Sequence, residues 1–131
     1  LLYVTLKALG NSHIDNELVR YIYEIRIIAI NGECPDFFTC NGCGGEKELI
    51  LYSLSRNGLY CRSCSQGIYD GVSLSGSTIY TLQFVVTAPI GKLYTFTVTK
   101  EVEEELRLVV NRLESIVFDK EFKSKEMLML S

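Results

Sequence analysis

The chain has 131 residues, 47% of them hydrophobic and 22% charged, with a formal net charge of -3. That is enough for one domain burying roughly two-thirds of its unfolded surface, and too apolar for a disordered segment. The slight negative balance excludes phosphate binding by bulk charge, so any nucleic-acid contact needs a local basic patch. Leu1-Leu2-Tyr3 offers neither an initiator methionine nor the zones of a signal peptide, and a fragment or isolated domain is expected, a single helical domain over 1–131. The apolar run from Tyr21 to Ile30 is broken by Glu24 and Arg26 and is shorter than the roughly 20 residues that span a bilayer. No membrane partner is therefore expected. Five cysteines, an odd number without a secretory signal, fit a reducing cytoplasmic setting in which thiols stay free for metal.

Leu2, Leu6 and Leu9 recur at helical spacing, and Gly10 to Ser12 reads as a break. Ser12 with Asp15 three positions later resembles a helix-start box. The helix it starts, about Ile14 to Asn31, sets Leu18, Tyr21, Ile22, Ile25, Ile28 and Ala29 on one face. Val19, Tyr23, Ile27 and Ile30 occupy much of the rest, which predicts a central helix packed on more than one side. Gly32 suits a left-handed stop and Pro35 opposes continuation. Glu48 to Leu54 has strand length and mixed apolar character, and Asn57-Gly58 is a hairpin-turn signal. Gly67, Gly71 and Gly76 mark loops that lead to a helix capped near Ser75, carrying Ile79, Leu82, Phe84, Val85 and Val86 and ending near Pro89. Thr95 to Thr99 alternates weakly like a strand, but Thr99 is the better N-cap of a long helix through Phe118. Val102, Leu106, Val109, Val110, Leu113 and Val117 follow its period. After Asp119 the tail predicts one last short helix. The fold class expected is mainly α: a helical bundle-like domain with an inserted four-cysteine zinc-binding β-hairpin element at about 36–66.

The chemistry concentrates in that insertion. Cys40-x2-Cys43 and Cys61-x2-Cys64 are separated by residues 44 to 60, a spacing suited to a four-thiolate zinc site, with Gly42, Gly44 and Gly45 easing the first tight turn. Tetrahedral Zn2+ held by Cys40, Cys43, Cys61 and Cys64 leaves no open position, so the ion is expected to be structural rather than catalytic. A thiol-exchange centre would use a single exposed Cys-x-x-Cys, and two matched pairs argue against it. Cys34 lies outside the pattern and reads as a buried small apolar side chain.

Little else suggests catalysis. His13 is the only histidine and has no partner in pattern, and neither a Gly-rich phosphate loop nor a hydrolase motif occurs. The chain reads as no enzyme. Glu101 to Glu105 reads as a solvated helix face. Lys47, Arg56 and Arg62 on the insertion, with Lys120, Lys123 and Lys125 in the tail, are the candidate DNA- or partner-binding residues.

The order of these features carries a resemblance. "YIYEIRIIAINGECPDFFTCNGCG", a helix with Glu-x-Arg running into a Gly-x-x-Pro turn and the first cysteine pair, resembles the RecO family of bacterial recombinational repair proteins. "LYSLSRNGLYCRSC", "VSLSGSTIYTLQFV" and "FDKEFKSKEMLML" are similar to that family's hairpin, the helix behind it and its closing segment. The resemblance is to the C-terminal part of the family, and the family's N-terminal OB-type domain is expected to be absent from this chain.

It implies a mediator that binds single- and double-stranded DNA, the tail of single-strand-DNA-binding protein, and RecR, promoting strand annealing and RecA loading near the bacterial nucleoid. Without the OB-type barrel, DNA binding is expected to be weak. Receiving an acidic, Phe-ended tail needs an apolar groove rimmed by Lys or Arg, a chemistry that Lys120, Lys123 and Lys125 beside Phe122, Met127 and Leu128 could supply. The alternative is a generic zinc-ribbon nucleic-acid or protein-interaction module that stands largely alone.

Overall fold

The computed structural model describes Ala8 and the backbone of residues 16–130, with side chains through Lys120. The readings of Leu2, Leu6, Leu9, His13 and the Ser12–Asp15 box fall outside the described residues. Among the described residues, three long helices pack around a three-stranded antiparallel sheet that carries the cysteines. The helix-rich expectation with a cysteine-bearing β insertion is thus met, with several corrections.

Helix α1 spans Asn16–Ile30 and buries Leu18, Val19, Tyr21, Ile22, Ile25 and Ile28. It packs on both α2 (Gly76–Thr87) and α3 (Lys100–Leu130), which is why apolar residues cover more than one of its faces. Ile30 departs from that pattern and is 60% exposed, close to where the chain turns at Gly32. Gly32 has φ 73°, the left-handed conformation expected of it, and its amide bonds Ala29 O while that of Glu33 bonds Ile28 O.

Strands β1 (Leu49–Ser53) and β2 (Gly58–Cys61) form the predicted hairpin, with Leu51 opposite Tyr60, Tyr52 opposite Leu59, and a register shift between Leu49 and Leu51. The turn differs from a two-residue Asn-Gly connection. Leu54 to Asn57 form a four-residue loop closed by Asn57 N to Ser53 O, and Asn57 takes the left-handed conformation at its end. The hydroxyl of Tyr52 donates to Asn57 Oδ1.

A third strand, β3 (Gly71–Ser73), pairs antiparallel with β1, giving the order β2-β1-β3. This corrects the loop expected around Gly71. Three residues are too few to show alternation, and Gly71 is there because the sheet needs a close approach: a Cβ would fall 2.4 Å from Leu51 Cδ2. Asp70, just before it, receives Ser55 N at 2.6 Å and Ser53 Oγ at 3.1 Å and so holds the hairpin loop.

Helix α2 begins at the predicted cap: Ser75 Oγ accepts Thr78 N at 3.3 Å. The Glu101 to Glu105 cluster is not wholly a solvated face. Glu105 reaches back from α3 to accept Ser75 N at 2.7 Å and Thr78 Oγ1 at 3.0 Å, stitching the start of α2 to α3. Ser75→Ala is expected to lower stability by about 1 kcal/mol, read from the midpoint of urea unfolding, because the α2 amide loses its acceptor.

Thr99 caps α3 as expected, accepting Val102 N at 3.3 Å, so the Thr95–Thr99 alternation is not a strand. The helix does not stop at Phe118. It continues unbroken to Leu130, correcting the separate last helix, since the sequence places no glycine or proline after Lys100 to end it. The core runs continuously from α1, α2 and α3 into the sheet, with Ile22, Leu82, Leu106, Tyr52 and Leu59 fully buried in one cluster. Among the described residues no helix is long and apolar enough to cross a membrane.

Candidate metal centre

Both cysteine pairs are set by the hairpin. Cys61 closes β2 and Cys64 opens a 3-10 turn over Cys64–Gly67, so the second pair leaves the sheet in a tight bend. The first pair is a loop bound to the same strand. Asn41 N donates to Leu59 O at 2.7 Å, Cys40 N to Gly45 O at 2.7 Å and Gly44 N to Cys40 O at 2.8 Å. Gly44 takes φ 76° to close that loop, and at Gly42 a Cβ would lie 3.1 Å from Cys64 Sγ. The approach of sulfurs therefore depends on the glycines between them.

The Sγ atoms of Cys40, Cys43, Cys61 and Cys64 all lie within 4.8 Å of one another. Cys43 Sγ and Cys61 Sγ are 3.8 Å apart. A tetrahedral ion about 2.3 Å from each sulfur separates the sulfurs by about 3.8 Å, so the donor set has the size of a four-thiolate metal site. Cys40 and Cys61 are buried, Cys64 is half-buried, and Cys43 is exposed at the outer edge.

The electrostatics favour a cation. Burial works against ionisation of Cys40, but hydrogen bonds from the backbone of Cys43, Cys61 and Gly42 hold its thiol down at about 6. Amides at 3.3 Å from Gly42 and from Cys61 aim at that sulfur, and Gly45 N lies 3.4 Å from Cys43 Sγ. The sulfurs of Cys61 and Cys40 push Cys64 the other way, up to about 12. Four adjacent thiolates repel, and a bound dication is what lets all four ionise together. The residues present fit a metal ion.

Cys34 is outside this cluster. Its Sγ lies 3.6 Å from Ile25 O, and burial pushes the thiol up to about 12, as suits a packed, unreactive side chain.

Among the described residues the candidate basic side chains fall on two elements, the metal-bearing insertion and α3. Lys47 and Arg62 are exposed on the metal-bearing insertion, and Arg56 lies over the Tyr60 ring at 6.0 Å from its centroid. Lys120 is exposed on α3 and pairs with Glu33 at 3.0 Å. The side chains of Lys123 and Lys125, with Phe122, Met127 and Leu128, lie outside the described residues.

Two arginines that sequence reasoning gave no role tie elements together around the site, Arg26 between two helices and Arg112 between a helix and the hairpin. Arg26 Nη1 donates to Val85 O at 2.9 Å and to Ala88 O at 2.8 Å, closing the C-terminus of α2. Arg112 Nε donates to Leu54 O at 2.7 Å, joining α3 to the hairpin loop. Gln83 of α2 adds a bond to Phe37 O at 2.9 Å, fixing the chain just before the first cysteine pair. A polar residue inside an apolar helix run was the available sequence signal for Arg26.

Known proteins give the context. The chain is 23% identical over 125 residues to "DNA repair protein RecO" of Caldanaerobacter subterraneus subsp. tengcongensis, covering 95% of this chain and 51% of that protein. It is 25% identical to the protein of the same name from Thermoanaerobacter sp., covering 93% of this chain and 49% of the relative. For Clostridium perfringens the identity is 29%, covering 94% and 54%. The chain thus spans about half the length of the curated relatives it matches. No solved structure matches it. The family model "Recombination protein O C terminal" matches residues 1–126, nearly the whole chain, and the chain therefore belongs to the RecO family through its C-terminal part.

Proposed function

We propose that this chain is the C-terminal part of a DNA repair and recombination mediator, that it holds a structural zinc ion, and that it acts by binding rather than by catalysis. The observation that carries this reading is the family match over residues 1–126, joined to a closed set of four sulfurs. Zinc is favoured over other ions by four thiolates in tetrahedral spacing, and a full donor set leaves no position for water or substrate. Bound there, the ion would lock the two knuckles to β2.

The partners in this reading are single- and double-stranded DNA, the acidic tail of single-strand-DNA-binding protein, and RecR, with annealing and RecA loading as the outcome in the bacterial cytoplasm at the nucleoid. DNA is held weakly by this part alone, because its net charge is -3. Lys47, Arg56 and Arg62 are the DNA-facing candidates, and Lys120, Lys123 and Lys125 the tail-binding ones. A free-standing zinc ribbon has less support, since Tyr52 and Leu59 of the sheet are buried in the same core as the helices.

A fluorescent tail peptide and a short oligonucleotide, each titrated into the chain at two salt concentrations, test the reading. Replacing Lys120, Lys123 and Lys125 together with alanine is expected to weaken peptide binding at least about tenfold, as loss of charge-assisted contacts would. DNA binding should fall steeply with salt. Peptide affinity unchanged in the triple variant removes the tail-binding assignment.

A further inference from the structure

The contact between α1 and α3 is lined on one side by a shallow groove of about 700 Å3 that includes Tyr23, Ile27, Val117 and Phe118. Glu24 of α1 and Glu114 of α3 meet there, and Glu24 Oε2 and Glu114 Oε1 are both buried with no hydrogen-bond donor. Arg20 is the cation beside them, with Nε 3.2 Å from Glu24 Oε1 and Nη2 3.9 Å from Glu114 Oε1. One guanidinium faces two carboxylates, and it engages the outer oxygen of the first.

We propose that Glu24 and Glu114 share a single proton, and that this proton is a clasp holding α1 against α3 that is given up as the surroundings become alkaline. A protonated carboxyl donates to its ionised neighbour, which satisfies the two orphan oxygens with one hydrogen and removes the repulsion between the helices. The pair also accounts for the Glu24-x-Arg26 motif: Arg26 faces α2, and Glu24 is left to face α3.

The surrounding charges agree. Burial, then the hydrogen bond that Glu24 donates to Glu114, push its carboxyl up to about 7, while Arg20 works against them. Helix α2 carries no charged residue. Tyr23 is the other titratable group lining the groove, and Lys120 is engaged by Glu33 further along. Because the folded value lies above the ordinary 4.5, the folded chain holds this proton more tightly than the unfolded chain. The clasp's contribution is complete below about 4.5 and is lost as pH rises through about 7.

Carbon-detected NMR titration of the glutamate carboxyls in the full chain tests this, with amide exchange along α1 and α3 followed in parallel. One carboxyl of the pair is expected to titrate near neutrality, and Glu114→Gln to lower the Glu24 midpoint by at least about one unit. Amide exchange at the α1–α3 contact should rise from pH 6 to 8 by more than the tenfold per unit of base catalysis, and Glu24→Gln should remove the excess. Both carboxyls titrating below about 5.5 in the unaltered chain would overturn the proposal, even if neither variant folds. A Glu24 midpoint unmoved by Glu114→Gln in a folded variant would overturn it equally.

Discussion

Cys61→Ser is expected to abolish stoichiometric metal binding and to open the insertion to protease while most helical circular dichroism persists. Cys61 is a buried member of the four-sulfur cluster and sits at the end of β2, where its amide also bonds Cys40 Sγ. Structural zinc contributes on the order of 10 kcal/mol in small modules, so a three-sulfur site leaves the knuckles without what holds them. Cleavage should begin in residues 41–48 and 62–67, outside the helical core. Tyr52 and Leu59 are packed into that core, and Arg112 ties Leu54 to α3, so β1 resists longer than the knuckles. Chelation of the unaltered chain should give the same proteolytic pattern. Cys34→Ser, remote from the cluster, should leave metal content unchanged. Limited proteolysis with metal analysis decides the matter, and an unchanged cleavage pattern after complete metal removal would refute a structural role.

Arg26→Ala is the second large effect, a loss of about 3 kcal/mol. The side chain spans from α1 to α2 and satisfies two carbonyls, Val85 O and Ala88 O, at the end of a helix whose last turn has no basic residue of its own. A hydrogen bond from a charged group is worth about 1.5–3 kcal/mol, and a partly buried carbonyl left without a donor adds its desolvation. Arg26→Lys should recover about half, since a single ammonium cannot reproduce the guanidinium fork. Reversible urea unfolding at pH 7 reads both variants. A loss below about 1 kcal/mol for Arg26→Ala would show that water replaces the arginine without penalty.

What was legible beforehand follows from the range over which each cause acts. Ser75, Thr99 and Gly32 act within a turn of their own position, and all three behave as their local chemistry dictates. The cysteine pairs were legible for the same reason, each being a short-range motif, although their mutual distance was not. β3 was missed because its pairing with β1 lies in the partner strand rather than in Gly71-Val72-Ser73. The length of α3 was missed because Asp119 and Lys120 look like a boundary in composition, while nothing in their backbone chemistry stops a helix. Glu105, Arg26, Arg112 and Glu24 are the long-range cases. Each is a charged residue whose partner lies on another element, and a linear pattern registers only that it is charged.

The unbroken course of α3 has a mechanical consequence. Its first half is tied down at Thr99, at Glu105 and at Arg112, whereas Glu114 is the last acidic side chain by which it meets α1 among the described residues. From Lys120, whose ammonium pairs with Glu33, to Leu130 the helix continues for about 15 Å at 1.5 Å per residue, so a tilt of about 5° there moves its end by about 1.3 Å. A given tilt of α3 is therefore expressed as a displacement that grows with distance from its last tie to the bundle.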